Sequence, residues 1–156
     1  QYMMKLPPET IDWHLRPFLP PGAPPLRDIA AALELGRPRA RTLKELAEHL
    51  QPYLAGDDSL QYEPEAVNKH LKGDDLIERM RDLHAALSAV ETFDVTTTEQ
   101  TLRALADSKG ISAGKYIHPL RVALTGKTSS PPIFDVVATL GKERTLRRLE
   151  ALLRSL

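Results

Sequence analysis

Cysteine is absent from all 156 residues, which removes disulfides, thiolate nucleophiles and thiolate metal ligands together and fits a reducing compartment. Long apolar runs are missing as well. No stretch approaches the roughly 20 residues that cross a bilayer, and the opening Gln1-Tyr2-Met3-Met4-Lys5 lacks the pattern of a signal peptide. The expectation is a soluble, cytoplasmic chain. It opens on Gln1 and runs within a few residues into Pro7-Pro8, so it reads as a fragment of a longer protein. Aromatic residues make only 5% of the chain, yet apolar residues make 42%. A chain of this length buries roughly two-thirds of its unfolded surface, so packing alone can hold the fold without metals or cross-links.

A surplus of either charge is also lacking, since 21 basic side chains balance 21 acidic ones. Binders of polyanions usually carry extra Lys and Arg, and on its face the total argues against one. The total conceals a division. Residues 1–92 carry 11 basic and 15 acidic side chains, a net of −4, whereas 93–156 carry 10 and 6, a net of +4. Such asymmetry points to a polyanionic partner for the basic half.

Period-two alternation bounded by hairpin turns is not found, while apolar residues recur at helical spacing nearly everywhere, so the class is all-α. The spacing predicts a helix from Pro7-Pro8-Glu9 through Ile11, Trp13, Leu15 and Phe18, and a second after Pro24-Pro25 that ends at Gly36 in a left-handed cap. A third starts with a capping box at Thr42 to Glu45 and runs to Leu54. Gly56-Asp57-Asp58-Ser59 reads as a solvated loop. Pro64 opens a short helix ending at Gly73, and Asp74-Asp75 opens a longer one with Leu76, Ile77, Met80, Leu83, Leu87 and Val90 along one face. Thr96-Thr97-Thr98-Glu99-Gln100 offers two overlapping capping boxes for a helix to Gly110, which sets a boundary near Phe93 between two helical modules, 1–92 and 93–156. In the second module Ser130-Pro131-Pro132 reads as a helix start with the serine as cap. After Gly141 a last helix turns Leu146, Leu149, Leu152 and Leu153 inward and Arg144, Arg147 and Arg148 outward.

Catalytic signatures are wanting. His14, His49, His70, His84 and His118 stand far apart and have none of the spacings that build metal or hydrolase sites, so each reads as a surface or packing histidine. Gly126-Lys127-Thr128 resembles the end of a phosphate-binding P-loop, but the glycine required five residues earlier is Arg121 and no buried strand precedes it. A nucleotide hydrolase is set aside on that ground. Two stretches remain. Arg37-Pro38-Arg39-Ala40-Arg41 sets three guanidiniums on a proline-stiffened connection, able to present planar forks to phosphates or base edges or to serve as a solvated turn. From Tyr116 to Pro132, a charged Arg121 within an apolar run is followed by a hydroxyl-rich loop that feeds a helix N-terminus, a place that suits anions; the plain alternative is a helix-face arginine with a buried stem.

Taken in order, His118-Pro119-Leu120-Arg121-Val122-Ala123-Leu124-Thr125-Gly126, then Ser130-Pro131-Pro132-Ile133-Phe134-Asp135-Val136, then Leu140-Gly141-Lys142-Glu143-Arg144 to Leu149, resemble the C-terminal signature of bacterial glutamyl-tRNA synthetases. Arg41-Thr42-Leu43-Lys44-Glu45-Leu46 resembles a further segment of that family, and the likeness spans nearly the whole chain. The resemblance implies a two-part helical cage that grips the anticodon loop of a glutamate tRNA, with bases splayed and read singly. It implies RNA-binding roles for Arg37, Arg39, Arg121, Lys127, Ser130, Pro131 and Ile133, with Arg39 and Arg121 as the base-reading arginines. Position 130 often holds threonine in the family, and serine keeps the hydroxyl. It further implies that glutamate activation, with ATP and Mg, belongs to a Rossmann-type domain preceding this segment, that the segment itself carries no cofactor, and that the protein is a monomer. The competing reading is a free-standing helical protein-interaction module, for which amphipathic helices and a neutral total suffice.

Overall fold

A computed structural model describes residues 14–19 and 30–156. Among them every regular element is helical. The helix expected from Pro7 lies largely outside the described residues; its end is a 3-10 turn, Arg16–Phe18. The chain separates into two compact units, residues 1–55 and 56–156. The boundary expected near Phe93 falls inside the second, because the helices on either side of it pack on each other.

In the first unit, α1 (Ala30–Gly36) and α2 (Leu43–Leu54) pack through Leu33, Leu46 and Leu50, all fully buried. Thr42 caps α2 as expected, its Oγ1 accepting from Glu45 N at 3.1 Å, while Glu45 Oε2 accepts from Arg41 N at 2.8 Å. Gly36 is not the left-handed cap expected of it. Its φ of −82° is ordinary and the chain continues as a 3-10 turn, Arg37–Arg39. The glycine serves packing instead, since a Cβ there would stand 3.2 Å from Leu46 Cδ1.

The second unit holds α3 (Pro64–His70), α4 (Leu76–Ser88), α5 (Val95–Lys109), α6 (Gly114–Thr125), α7 (Ile133–Leu140) and α8 (Lys142–Ser155). The last helix packs on α4, α6 and α7, and α5 packs on α4 and α7. Met80, Leu83, Leu102, Tyr116, Leu120, Leu124, Val136, Leu149 and Leu152 form the dry interior, whereas Ile77, expected on the apolar face of α4, is exposed because it sits about 100° round the helix from the buried Leu76. Two caps differ from expectation. α5 is capped by Asp94, whose Oδ1 accepts from Thr97 N at 2.7 Å, rather than by the threonines that follow; a carboxylate at a helix start also meets the positive end of the dipole. α7 starts at Ile133 behind Pro132, and Ser130 gives its hydroxyl proton to Pro131 O at 2.7 Å instead of capping.

Two further expectations are overturned together. Arg148 does not face outward but is fully buried, and the Asp57 side chain, only 11% exposed, is not in a solvated loop. Arg148 Nε donates to Asp57 Oδ1 at 2.8 Å and its NH1 to the Leu124 carbonyl, while Arg144 Nε reaches the same Asp57 oxygen at 3.1 Å. Periodicity assigned Arg148 to the polar face by residue type; a carboxylate 91 positions earlier in the chain is what lets it turn inward. The segment following that loop then runs against the end of α6. Glu63 N donates to Gly126 O at 2.8 Å, and a Cβ on Gly126 would lie 2.1 Å from Gln61 O. Gly126, at φ 74°, is thus needed twice, for left-handed backbone and for close approach. This accounts for the glycine of the P-loop-like triplet without any nucleotide.

Gly110 offers a matched control, with φ 68° and nothing near its missing Cβ. Gly110→Ala should cost about 1–2 kcal/mol, the strain of a left-handed residue. Gly126→Ala should cost clearly more in urea unfolding; equal losses would mean that the segment at Gln61 yields freely.

Candidate nucleic-acid interface

Helix α6 carries a proline, Pro119, in its interior. With no N–H, Pro119 cannot bond the carbonyl four residues back, that of Lys115. Arg79 fills the gap. From α4, its NH1 donates to Lys115 O, its NH2 to Lys72 O at 3.3 Å, and its Nε pairs with Asp75 Oδ2 at 3.0 Å. One buried guanidinium thereby ties α6 to the connection between α3 and α4 and fixes the face that follows Pro119.

On that face lies Arg121. Its Nε donates to Ser130 Oγ at 3.0 Å and its NH1 to His118 Nδ1 at 3.3 Å, so the sequence-predicted Arg121 and Ser130 are brought together across the loop joining α6 to α7. Burial lowers the Arg121 pKa somewhat from its ordinary value, and the group remains a cation. The loop is braced from within: Thr125 Oγ1 donates to Arg121 O at 2.7 Å and accepts from Lys127 N at 3.1 Å. Lys127, Ser130 and Pro131 are half-buried along it, whereas Ile133 is 4% exposed and acts in the core.

His118 stacks on His70 with ring centroids 4.8 Å apart and planes 16° from parallel. Both imidazoles are held below the ordinary histidine value, first by burial and then by surrounding cations, Arg121 and Lys69 for each and Lys72 for His70, which also feels His118. Because Arg121 donates to His118 Nδ1, the neutral ring carries its proton on Nε2. The pair borders an open pocket of 530 Å³ lined also by Lys69, Lys72 and Lys115.

In the first unit, the Arg37–Arg39 turn separates its two arginines. Arg37 is buried and its Nε pairs with Glu34 at 3.6 Å, which makes it a support of the turn rather than a presented fork. Arg39 is exposed, and its carbonyl accepts from His49 Nε2 at 3.2 Å.

A family model described as an anticodon binding domain matches residues 13–153. The chain belongs to the anticodon-binding domain family. It is 36% identical over 160 residues to a glutamate–tRNA ligase of Syntrophobacter fumaroxidans, covering 98% of this chain and 33% of the relative. It is 39% identical over 122 residues to a glutamate–tRNA ligase of Thermus thermophilus, covering 78% of this chain and 25% of that one. The chain thus spans about a third of the first of these relatives and a quarter of the second. Among solved structures, a glutamate tRNA ligase from Elizabethkingia meningosepticum in complex with its amino acid superposes with a TM-score of 0.80 at 22% identity, covering 100% of this chain and 31% of that one, which establishes a shared fold.

Sequence reasoning about this anticodon-binding domain passed over His70, Lys69, Lys72, Lys115 and Arg79. Nothing in their spacing marks them, since they meet only through the packing of α3, α4 and α6. The interior proline was the one available clue, because a helical proline obliges some other donor to serve the carbonyl it leaves.

That obligation is testable as a double-mutant cycle. Arg79→Met should destabilise the chain by about 1.5–3 kcal/mol, the value of hydrogen bonds from a charged donor. In a Pro119→Ala background the loss should be smaller, because the backbone N–H of the substituted alanine can bond Lys115 O. Strict additivity in guanidinium unfolding would show that the carbonyl does not depend on Arg79.

Proposed function

We propose that the chain reads the anticodon loop of a glutamate tRNA as the anticodon-binding part of an ATP-dependent glutamate–tRNA ligase, acting in the cytoplasm as a monomer. The observation that carries this reading is the clamped Arg121: a half-exposed guanidinium fixed by Ser130 and His118 beside a hydroxyl-bearing loop. A cation held in one orientation can pair with a base edge or phosphate with little further ordering. Anticodon loops offer unstacked bases that proteins read one at a time. The names of the relatives support glutamate as the amino acid. ATP and Mg chemistry belongs in this proposal to a catalytic domain outside the chain, and the residues here contribute recognition alone.

The exposed Arg39, on a turn stiffened by Pro38 and tied through its carbonyl to His49, suits a reader of a single base. Arg37, buried below it, holds the turn. Ser130, Pro131 and Lys127 would line the loop side of the Arg121 site, with Ile133 anchoring the helix behind them.

Binding to anticodon stem-loops of glutamate tRNA and of an unrelated tRNA, at two salt concentrations, tests the proposal. A preference for the glutamate loop that persists at higher salt is the expected outcome; equal binding of both loops would favour a protein-interaction module. Arg39→Ala should lose about 1–3 kcal/mol of discrimination at one anticodon base. Equal weakening on every anticodon variant would remove Arg39 from base reading.

A further inference from the structure

Two groups of cations in the second unit contrast. The arginines of the last helix are matched by carboxylates, Arg144 and Arg148 by Asp57, Arg147 by Glu143 and Arg154 by Asp58, while Lys142 donates to the Val90 carbonyl. Around the His70–His118 stack the balance is reversed. Lys69, Lys72 and Lys115 line the same pocket with no carboxylate of the described residues within ion-pair distance. The one carboxylate lining that pocket, Asp75, is held by Arg79 through both of its oxygens.

The pocket also has hydrogen-bond direction. With Nδ1 of His118 occupied by Arg121, the Nε2 proton is the ring's free donor, and that nitrogen lies 3.6 Å from the Cβ position at Gly114, another residue of the pocket wall. A Cβ at position 114 would make only ordinary contact with the ring. The volume, 530 Å³, is ample for a phosphate group with part of a nucleotide attached.

We infer that the pocket between α3, the start of α4 and the start of α6 is a phosphate site, in which Lys69, Lys72 and Lys115 supply charge and the Nε2–H of His118 supplies a directed hydrogen bond. Resting on the anticodon-binding reading, it would hold a backbone phosphate of the RNA next to the nucleotide at Arg121, the two positions being linked by the Arg121–His118 bond. The surroundings of the histidines add a signature. The groups facing them are Lys69, Lys72, Arg121, Lys115 and the Arg79–Asp75 pair, cationic on balance, and they disfavour the protonated rings in the free protein. An entering phosphate cancels that field, so binding raises both histidine pKa values.

The test uses the 156-residue chain with labelled histidine rings, titrated by nuclear magnetic resonance across pH at constant ionic strength set with chloride. Three samples are compared: free, with inorganic phosphate, and with the glutamate anticodon stem-loop. Upward movement of the His70 and His118 pKa values, with phosphate and with the stem-loop, is the expected result. The variant Lys72→Gln/Lys115→Gln, altered only at exposed positions, should abolish the shift and lower the slope of log affinity against log salt by about one for each lysine replaced, while Arg81→Gln changes neither. A bound stem-loop that leaves both rings unmoved would overturn the site. If phosphate moves the rings but glutamate and unrelated loops bind alike, the site stands as one for phosphate and the anticodon reading falls.

Discussion

Arg148 has been taken wholly out of water, and an unpaired guanidinium there would cost several kcal/mol. Asp57 and the Leu124 carbonyl meet that cost jointly. The pairing fixes where the loop after the first unit must run, because its carboxylate has to reach the middle of the last helix. With Asp57 in place, the following residues lie against the end of α6, where Glu63 N takes the Gly126 carbonyl. The geometry of the α6–α7 loop, and so the meeting of Arg121 with Ser130, is downstream of this single ion pair.

How much could be read from residues alone depends on the range of the forces. Helix identities and most ends follow from local periodicity and capping, and Thr42, Pro64, Gly110 and Gly141 stand where such reasoning puts them. Gly36 misled because a glycine near a helix end suits either a left-handed turn or a close neighbour, and Leu46, which decides between them, belongs to another helix. Arg148 misled for the same reason on a larger scale: amphipathic patterning assigns an arginine to water unless an acid from elsewhere is known to meet it.

The candidate site divides similarly. Arg121, Ser130 and Lys127 share one continuous motif, and in the structure Arg121 and Ser130 meet as a clamp. Ile133, just past that motif, and Arg37, of the separate Arg37–Arg41 stretch, are buried; motif membership specifies neighbourhood, not exposure. The histidine stack and its lysines come from segments 48 residues apart, counting from His70 to His118, and had no signal in either.

The proline within α6 makes that helix incomplete by itself. Its Lys115 carbonyl finds a donor in Arg79, a residue of a different helix, so a peptide of α6 alone would carry Arg121 and His118 on either side of a proline whose missing hydrogen bond nothing replaces from within the helix. The placement of Arg121 and His118 is consequently coupled to the folding of their unit. An unfolded or half-made chain presents the same arginine without its bearing, so any RNA discrimination proposed for it would arise only once the bundle has closed.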